Sequence, residues 1–280
     1  MMHAWTRSDA AGLLRRPTAD DDKYSRGVLG VRTGSVRYPG AAVLGVEAAH
    51  RAGAGMVRYL GPERATTLVL ARRPETVTAA GRVQAWLIGS GTDAVDRDPD
   101  ETAALRGILA GAAPVVADAG ALDLVVARGG SAPVIVTPHD REHDRLRAAA
   151  GLPPVGEASF EARAAAAAET AAALGVAVLL KGARTVVATP AGRLRVIDAP
   201  TAWLATAGTG DVLGGVLGAF VAAASPGSVE ELGPLGATAA LVHGQAAAAA
   251  SRARDEGPVT ALDVADAVAS VVGSLLRTRG

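Results

Sequence analysis

The stretch Ala205-Thr206-Ala207-Gly208-Thr209-Gly210-Asp211-Val212-Leu213-Gly214-Gly215 runs a series of small residues straight into an apolar, helix-compatible segment. With no side chains at Gly208 and Gly210, backbone N–H groups can close around an anion. A helix beginning there adds favourable potential for phosphate. Asp211 then has two readings. As a carboxylate in the first turn of a helix it contributes up to about 1 kcal/mol. As a general base beside a bound phosphate it takes the proton from an attacking hydroxyl. Neither G-x-x-x-x-G-K-[ST] nor a G-x-G-x-x-G after the first strand occurs. P-loop and dinucleotide Rossmann chemistry therefore lose their main support.

Two further segments carry reactive side chains. His139-Asp140-Arg141-Glu142-His143 matches H-x-x-E-H. On a helix this pattern places two histidines on one face with a glutamate as base, as in inverted zinc proteases. Glu157, Glu161 or Glu169 would be the third ligand. The plainer reading is a polar helix start with His139 turned toward a cleft, and no resident metal site is assigned. Lys181-Gly182-Ala183-Arg184-Thr185 follows an apolar run and so lies at the carboxyl end of a strand, where open α/β sheets bind ligands. Taken alone, a charged strand end is a solvated one.

Short apolar runs at 28–31, 56–60, 85–88, 114–117, 134–136 and 176–180 predict strands. Runs 185–188 and 193–197 form a hairpin about Thr189-Pro190-Ala191-Gly192. Segments 40–52, 101–110, 121–128 and 159–174 predict helices, and from Asp211 onward only helices follow, at 211–224, 235–254 and 261–277. Alternating helices and wholly apolar strands predict an α/β fold: a mostly parallel sheet with helices on both faces, the hairpin adding an antiparallel edge. No internal repeat or Pro/Gly/Ser-rich linker divides the chain. The reading is one domain over residues 1–280, with 1–21 a loose N-terminal extension.

At 280 residues and 49% hydrophobic content the chain can bury a large core, which excludes a disordered or stapled miniature class. Lys+Arg and Asp+Glu are both 28, so no global field favours nucleic acid or an acidic membrane. Cysteine is absent, removing disulfides, thiolate ligands and cysteine nucleophiles, in keeping with a cytoplasmic location. No apolar stretch is long enough to span a bilayer. Only Lys23 and Lys181 are lysines.

Taken together, Ile135-Val136-Thr137-Pro138-His139 with Glu142, Leu179-Leu180-Lys181-Gly182-Ala183, and Ala205 through Gly215 resemble, in order and spacing, the ADP-dependent NAD(P)H-hydrate dehydratases of the ribokinase-like superfamily. Lys23-Tyr24-Ser25-Arg26-Gly27, Pro39-Gly40-Ala41-Ala42, Arg51 through Gly55, Ile88-Gly89-Ser90-Gly91 and Ala117 through Leu122 agree. The resemblance implies a ribokinase-like three-layer sandwich. It implies phosphorylation of the ring hydroxyl of the S-form of hydrated NADH or NADPH by ADP, then loss of phosphate to restore the dihydropyridine and leave AMP. It casts Asp211 as base and Gly208, Thr209 and Gly210 as the anion hole. Ala41, Gly91 and His139, with Asp211, become substrate contacts. Lys181, Gly182, Ala183, Arg184, Thr185 and Gly210 become adenine-nucleotide contacts. Mg²⁺, a homo-oligomer of the tetrameric kind and a separate epimerase acting on the same substrate are implied as well. Asp22, Asp140-Arg141 and Pro200-Thr201-Ala202-Trp203 depart from the family pattern and bear on ADP-versus-ATP preference. A ribokinase-like kinase for a vitamin precursor would share the anion hole and base. A zinc hydrolase and a non-catalytic nucleotide binder are the remaining classes.

Overall fold

The computed structural model describes residues 2–278; residue 1 and residues 279–280, the ends of the span read as one domain, lie outside the described residues. Its strands are β1 (Met2–Ala4), β2 (Val28–Arg32), β3 (Met56–Tyr59), β4 (Ala85–Ile88), β5 (Val115–Ala117), β6 (Val134–Val136), β7 (Ala177–Leu180), β8 (Arg184–Ala188) and β9 (Leu194–Asp198). They form one sheet in the order β1-β9-β8-β7-β6-β5-β4-β2-β3. All neighbours are parallel except β8, which runs against both β7 and β9. Because β2 pairs with both β3 and β4, the winding reverses between β2 and β4. A crevice opens at such a switch point.

The helices are α1 (Arg7–Leu13), α2 (Gly40–Arg51), α3 (Glu63–Arg72), α4 (Pro99–Leu109), α5 (Leu122–Val125), α6 (Asp140–Ala149), α7 (Phe160–Leu174), α8 (Thr209–Ala224), α9 (Val229–Arg252) and α10 (Ala261–Arg277). The period of two in each strand divides the core into two. Leu87, Val116, Ile135, Leu179 and Val187 point to the face covered by α2, α8, α9 and α10. Their neighbours Ile88, Val115, Val134, Val136, Val178, Leu180 and Val186 point to the face covered by α4 to α7. This is the expected three-layer arrangement, and it explains why the strands read as unbroken apolar runs.

Three expectations are corrected. The N-terminal segment is not loose over residues 2–14. Met2 pairs with Leu194 as a ninth strand, Trp5 Nε1 donates to Thr238 Oγ1 at 3.2 Å, and Ala10 and Ala11 are buried. The hairpin is therefore not the sheet edge, since β1 extends the sheet beyond β9. The helix expected over 121–128 is a 3₁₀ turn at Ala119–Ala121 followed by the short α5. Helix α5 stops at Val125, after which the chain turns, the Arg128 N–H bonding Val125 O at 3.3 Å and its guanidinium donating to the Leu174 carbonyl at 2.8 Å. Besides these, α9 begins six residues before the expected 235, at Val229, and carries Pro234 inside the helix, where it forgoes one helical hydrogen bond.

Helices α2 and α8 meet backbone to backbone. A Cβ on Gly215 would stand 2.2 Å from the Gly45 carbonyl oxygen. Replacing a helical glycine by alanine normally stabilises by roughly 0.5–1 kcal/mol. Here the overlap decides the sign, and Gly215→Ala is expected to cost about 1–3 kcal/mol. Gly107→Ala on α4, where nothing lies within 4 Å, is the control and should stabilise. Urea midpoints of the two variants moving in the same direction would contradict this packing.

Candidate active site

The carboxyl ends of β4, β5, β6 and β7 converge on the start of α8. Gly208 ends the preceding loop at φ +86°, a left-handed conformation that an L side chain adopts with strain, and no side chain caps the helix that follows. The Thr209 hydroxyl donates back to the Leu204 and Thr206 carbonyls, both at 2.9 Å, pinning the loop. Its N–H bonds Thr206 O at 3.3 Å, so of the residues expected in the anion hole Thr209 acts by holding the loop. The N–H groups of Gly210 and Asp211 are first-turn donors with no helical carbonyl ahead of them. Gly210 has ordinary helical geometry, and a Cβ there would meet only Lys181 Nζ at 3.7 Å. The backbone requirement of this loop therefore lies at Gly208.

Lys181 reaches the same place from β7. Its Nζ donates to Asp118 Oδ1 at 2.9 Å and lies 3.7 Å from Glu142 Oε2. Burial pulls the ammonium pKa down, but Asp118 and Glu142 more than reverse this and hold it above its ordinary value. Asp118 is buried and also accepts from Ser90 Oγ at 3.0 Å and Thr137 Oγ1 at 2.8 Å. Asp211 accepts no hydrogen bond from another side chain among the described residues. Burial, with help from the Asp118 charge and against the pull of Lys181, pushes its carboxyl up to about 7. A carboxylate with a pKa near neutrality is poised to exchange a proton.

Asp118, Ser90 and Thr137 were not assigned roles from sequence. Their signal was position: each follows an apolar strand at its carboxyl end, where ligands of open sheets bind.

Of the residues expected on the substrate side, Ala41 and Gly91 lie against each other, and His139 stands apart from them at the start of α6. Gly91, at φ +68°, packs so closely on α2 that a Cβ would stand 2.5 Å from the Ala41 Cβ. Gly45, one turn further along α2, faces the Asp211 carbonyl, and Gly214 faces Ser90. His139 caps α6, its Nδ1 accepting from Glu142 N at 3.4 Å while Glu142 Oε2 accepts from His139 N at 2.9 Å. The second histidine of that motif goes elsewhere. His143 is buried, bonds Thr170 Oγ1 at 3.0 Å, and is pushed down to about 4 by burial. Glu169, one of the third-ligand candidates, pairs with Arg147 at 2.7 Å.

Of residues 181–185, only the Lys181 side chain enters the cluster. Gly182 and Ala183 form the β7–β8 turn, and Thr185 Oγ1 donates to Gly182 O at 3.2 Å. Arg184 lies over the Phe160 ring at 3.7 Å and pairs with Asp198 at 3.0 Å. The remaining lysine, Lys23, lies over the Tyr24 ring.

Comparison with known proteins shows the family and the fold. A family model described as NAD(P)H-hydrate dehydratase matches residues 29–269. A bifunctional NAD(P)H-hydrate repair enzyme of Mycobacterium leprae is 44% identical over 263 residues, covering 90% of this chain and 51% of that protein. The chain thus spans about half the length of such bifunctional relatives. An ADP-dependent (S)-NAD(P)H-hydrate dehydratase of Neisseria meningitidis is 35% identical over 226 residues, 74% of this chain and 73% of its own. The crystal structure of an ADP/ATP-dependent NAD(P)H-hydrate dehydratase from Bacillus subtilis, co-crystallised with ATP/Mg²⁺, superposes with a TM-score of 0.83 at 26% identity, covering 98% of both chains. The architecture is the ribokinase-like three-layer sandwich.

Proposed function

Since the chain belongs to the NAD(P)H-hydrate dehydratase family, its model spanning residues 29–269, we propose that the protein dehydrates the S-form of hydrated NADH or NADPH at the expense of ADP. The observation that carries this reading is the placement of Asp211. A half-buried carboxylate whose pKa is pushed up to about 7 stands at the uncapped start of α8, beside free first-turn N–H groups and within the field of Lys181.

In the proposed reaction Asp211 takes the proton of the ring hydroxyl. The hydroxyl oxygen then forms a bond to the β-phosphorus of ADP as the bond to AMP breaks. The Gly210 and Asp211 N–H groups and the α8 dipole stabilise the charge on the transferred phosphoryl. The ring nitrogen lone pair next expels phosphate as the carbon–oxygen bond breaks, and loss of a proton from the adjacent carbon restores the dihydropyridine. Lys181 balances the negative charge gathered between the nucleotide and the three carboxylates, while the 181–185 turn and Gly210 form the nucleotide side. Ala41, Gly91 and His139 line the substrate side. The B. subtilis relative was co-crystallised with ATP/Mg²⁺, and the donor set here suits that ion, which is held by one or two carboxylates plus phosphates. Asp118 and Glu142 would hold Mg²⁺, whose chemistry is to neutralise phosphate charge.

The proposal extends to one domain over 1–280, a cytoplasmic location, a tetrameric assembly and a separate epimerase that interconverts the hydrate epimers. No helix of the described residues is long and apolar enough to cross a membrane.

The direct test is incubation of purified protein with hydrated NADH, ADP and Mg²⁺, following recovery of dihydronicotinamide absorbance. Phosphorylation of a vitamin-precursor alcohol, with no recovery from any hydrate, would favour the related kinases instead. Saturating ADP, AMP or ATP should raise the melting temperature by mass action, and no shift with any of them would remove the nucleotide site. The pH profile adds an independent check. Asp211 acts in its ionised form, so kcat/KM should rise as pH rises through about 7 and level off above it. A flat profile from pH 6 to 8 would separate Asp211 from proton transfer.

A further inference from the structure

Beside the Ala41–Gly91 contact lies a cavity of about 420 Å³, within the range of small-molecule sites, that the chemistry of phosphoryl transfer leaves unused. It begins at the site: Gly34, in its wall, donates its N–H to Ser90 O at 2.7 Å, and its Cα is among the atoms nearest a Cβ built on Gly91. It extends outward past the side chains of Val36 and Tyr38, which are 65% and 51% exposed although both are large apolar or aromatic groups. The Arg37 guanidinium lies over the Tyr38 ring at 5.4 Å from its centroid, and this half-exposed ring with its guanidinium neighbour, beside a nucleotide-processing centre, is a stacking platform for a base.

The charge of this cavity is unusual in detail. Its three arginines are already paired: Arg32 with Glu101 at 2.7 Å, Arg97 with Asp123 at 2.7 Å, and Arg37 with Asp96. Asp93, Asp98 and Asp100 also line it, and among the described residues none of the three has a cation within ion-pair distance. Asp93 accepts the Val95 N–H at 2.9 Å and Asp98 the Asp100 N–H at 2.7 Å, so each keeps acceptor capacity. Carboxylates of this kind accept from the hydroxyls of an adenosine ribose, whereas a 2′-phosphate calls for an unpaired arginine.

We infer that this cavity receives the adenosine half of the dinucleotide, the base on Tyr38 and the ribose against the acidic wall, and that it thereby selects hydrated NADH over hydrated NADPH. The inference rests on the proposed dehydratase activity and adds the cofactor form that the site takes. Like charges brought together in a partly enclosed site are strongly unfavourable. The preference in kcat/KM should therefore be about tenfold or more at low ionic strength and should shrink as salt screens it.

The experiment compares hydrated NADH, hydrated NADPH and hydrated reduced nicotinamide mononucleotide, which lacks the adenosine, at fixed ADP and at two salt concentrations. Asp100→Arg, an exposed change outside the catalytic cluster, should raise kcat/KM for hydrated NADPH toward parity and leave the mononucleotide unaffected. Tyr38→Ala should raise KM for both dinucleotides, with kcat, the KM for ADP and turnover of the mononucleotide unchanged. Equal use of the two dinucleotides by the unaltered protein at low salt would overturn the selection. A Tyr38→Ala variant that slows the mononucleotide as much as the dinucleotides would overturn the placement. Failure with every hydrate would instead strike the dehydratase reading itself, an outcome distinct from both.

Discussion

Asp211→Asn is expected to fold, to bind ADP, and to lose turnover by at least about 100-fold, the lower bound of what a positioned general base contributes. The amide keeps the size of the carboxylate and cannot take the proton. Nucleotide affinity survives because the backbone N–H groups of positions 210 and 211 and the Lys181 ammonium remain. Stability provides the second, independent readout. The folded pKa of Asp211, about 7, lies above the ordinary 3.8, so the folded state resists ionisation that the unfolded chain undergoes freely. The ionised carboxylate therefore opposes folding by an amount that is absent below about pH 4, grows as pH rises toward 7, and is constant above it. Removing it should make the variant more stable than the parent at pH 8, with the gain vanishing at low pH. A carboxylate serving only the helix dipole predicts the reverse: activity kept and stability lowered by about 1 kcal/mol or less. Thermal melts at pH 4 and pH 8, alongside turnover, separate the two. An active Asn variant would sink the catalytic assignment.

The same residue shows what a sequence can carry. Gly208 and Asp211 were legible because residue type and geometry coincide there: a left-handed position needs glycine, and a helix start draws a carboxylate, whereas Gly210 sits in ordinary helical geometry. Strands at 85–88 and 134–136 were legible for a similar reason, since burial on both faces demands unbroken apolar runs. Residues whose structure is set by distant partners were not. Met2–Ala4 is exposed throughout and only three residues long, and it becomes a strand because residues 194–196 offer it a free edge. Helix α3 contains Thr66, Thr67 and Val69, all weak helix formers, yet Ala65 and Val69 are fully buried in the core shared with α2. The buried charges of the site are the clearest case. Asp118 and Lys181 are 63 positions apart, and nothing local to either announces the other. Nor does any local feature announce that their fields oppose one another at Asp211. A neutral chain with evenly mixed charge thus conceals a centre in which three carboxylates gather about one ammonium.

Lys181→Met tests that centre. Its ammonium is largely buried against Asp118, which is buried almost completely. Removing one member of a buried pair costs roughly 3–5 kcal/mol, because the surviving charge keeps its desolvation penalty and loses its partner. The Ser90 and Thr137 hydroxyls still donate to Asp118, so the lower end, about 3 kcal/mol, is expected at pH 8. Adding Asp118→Asn to Lys181→Met should recover much of the loss, since the unpaired charge at Asp118 is then gone; a double-mutant cycle reads the coupling directly. ADP affinity should fall about tenfold or more with the loss of a charged donor. Lys181 also lowers the pKa of Asp211, so the acid limb of kcat/KM should move above 7 in the variant. Lys181→Arg keeps the charge and should restore most of the stability and the pH limb. Its planar fork cannot reproduce a compact ammonium between Asp118 and Glu142, and turnover should recover only in part. Stability, ADP affinity and pH limb all unchanged in Lys181→Met would place the ammonium outside the working site. A loss of stability alone, with affinity and pH limb intact, would make it a structural counter-ion for Asp118.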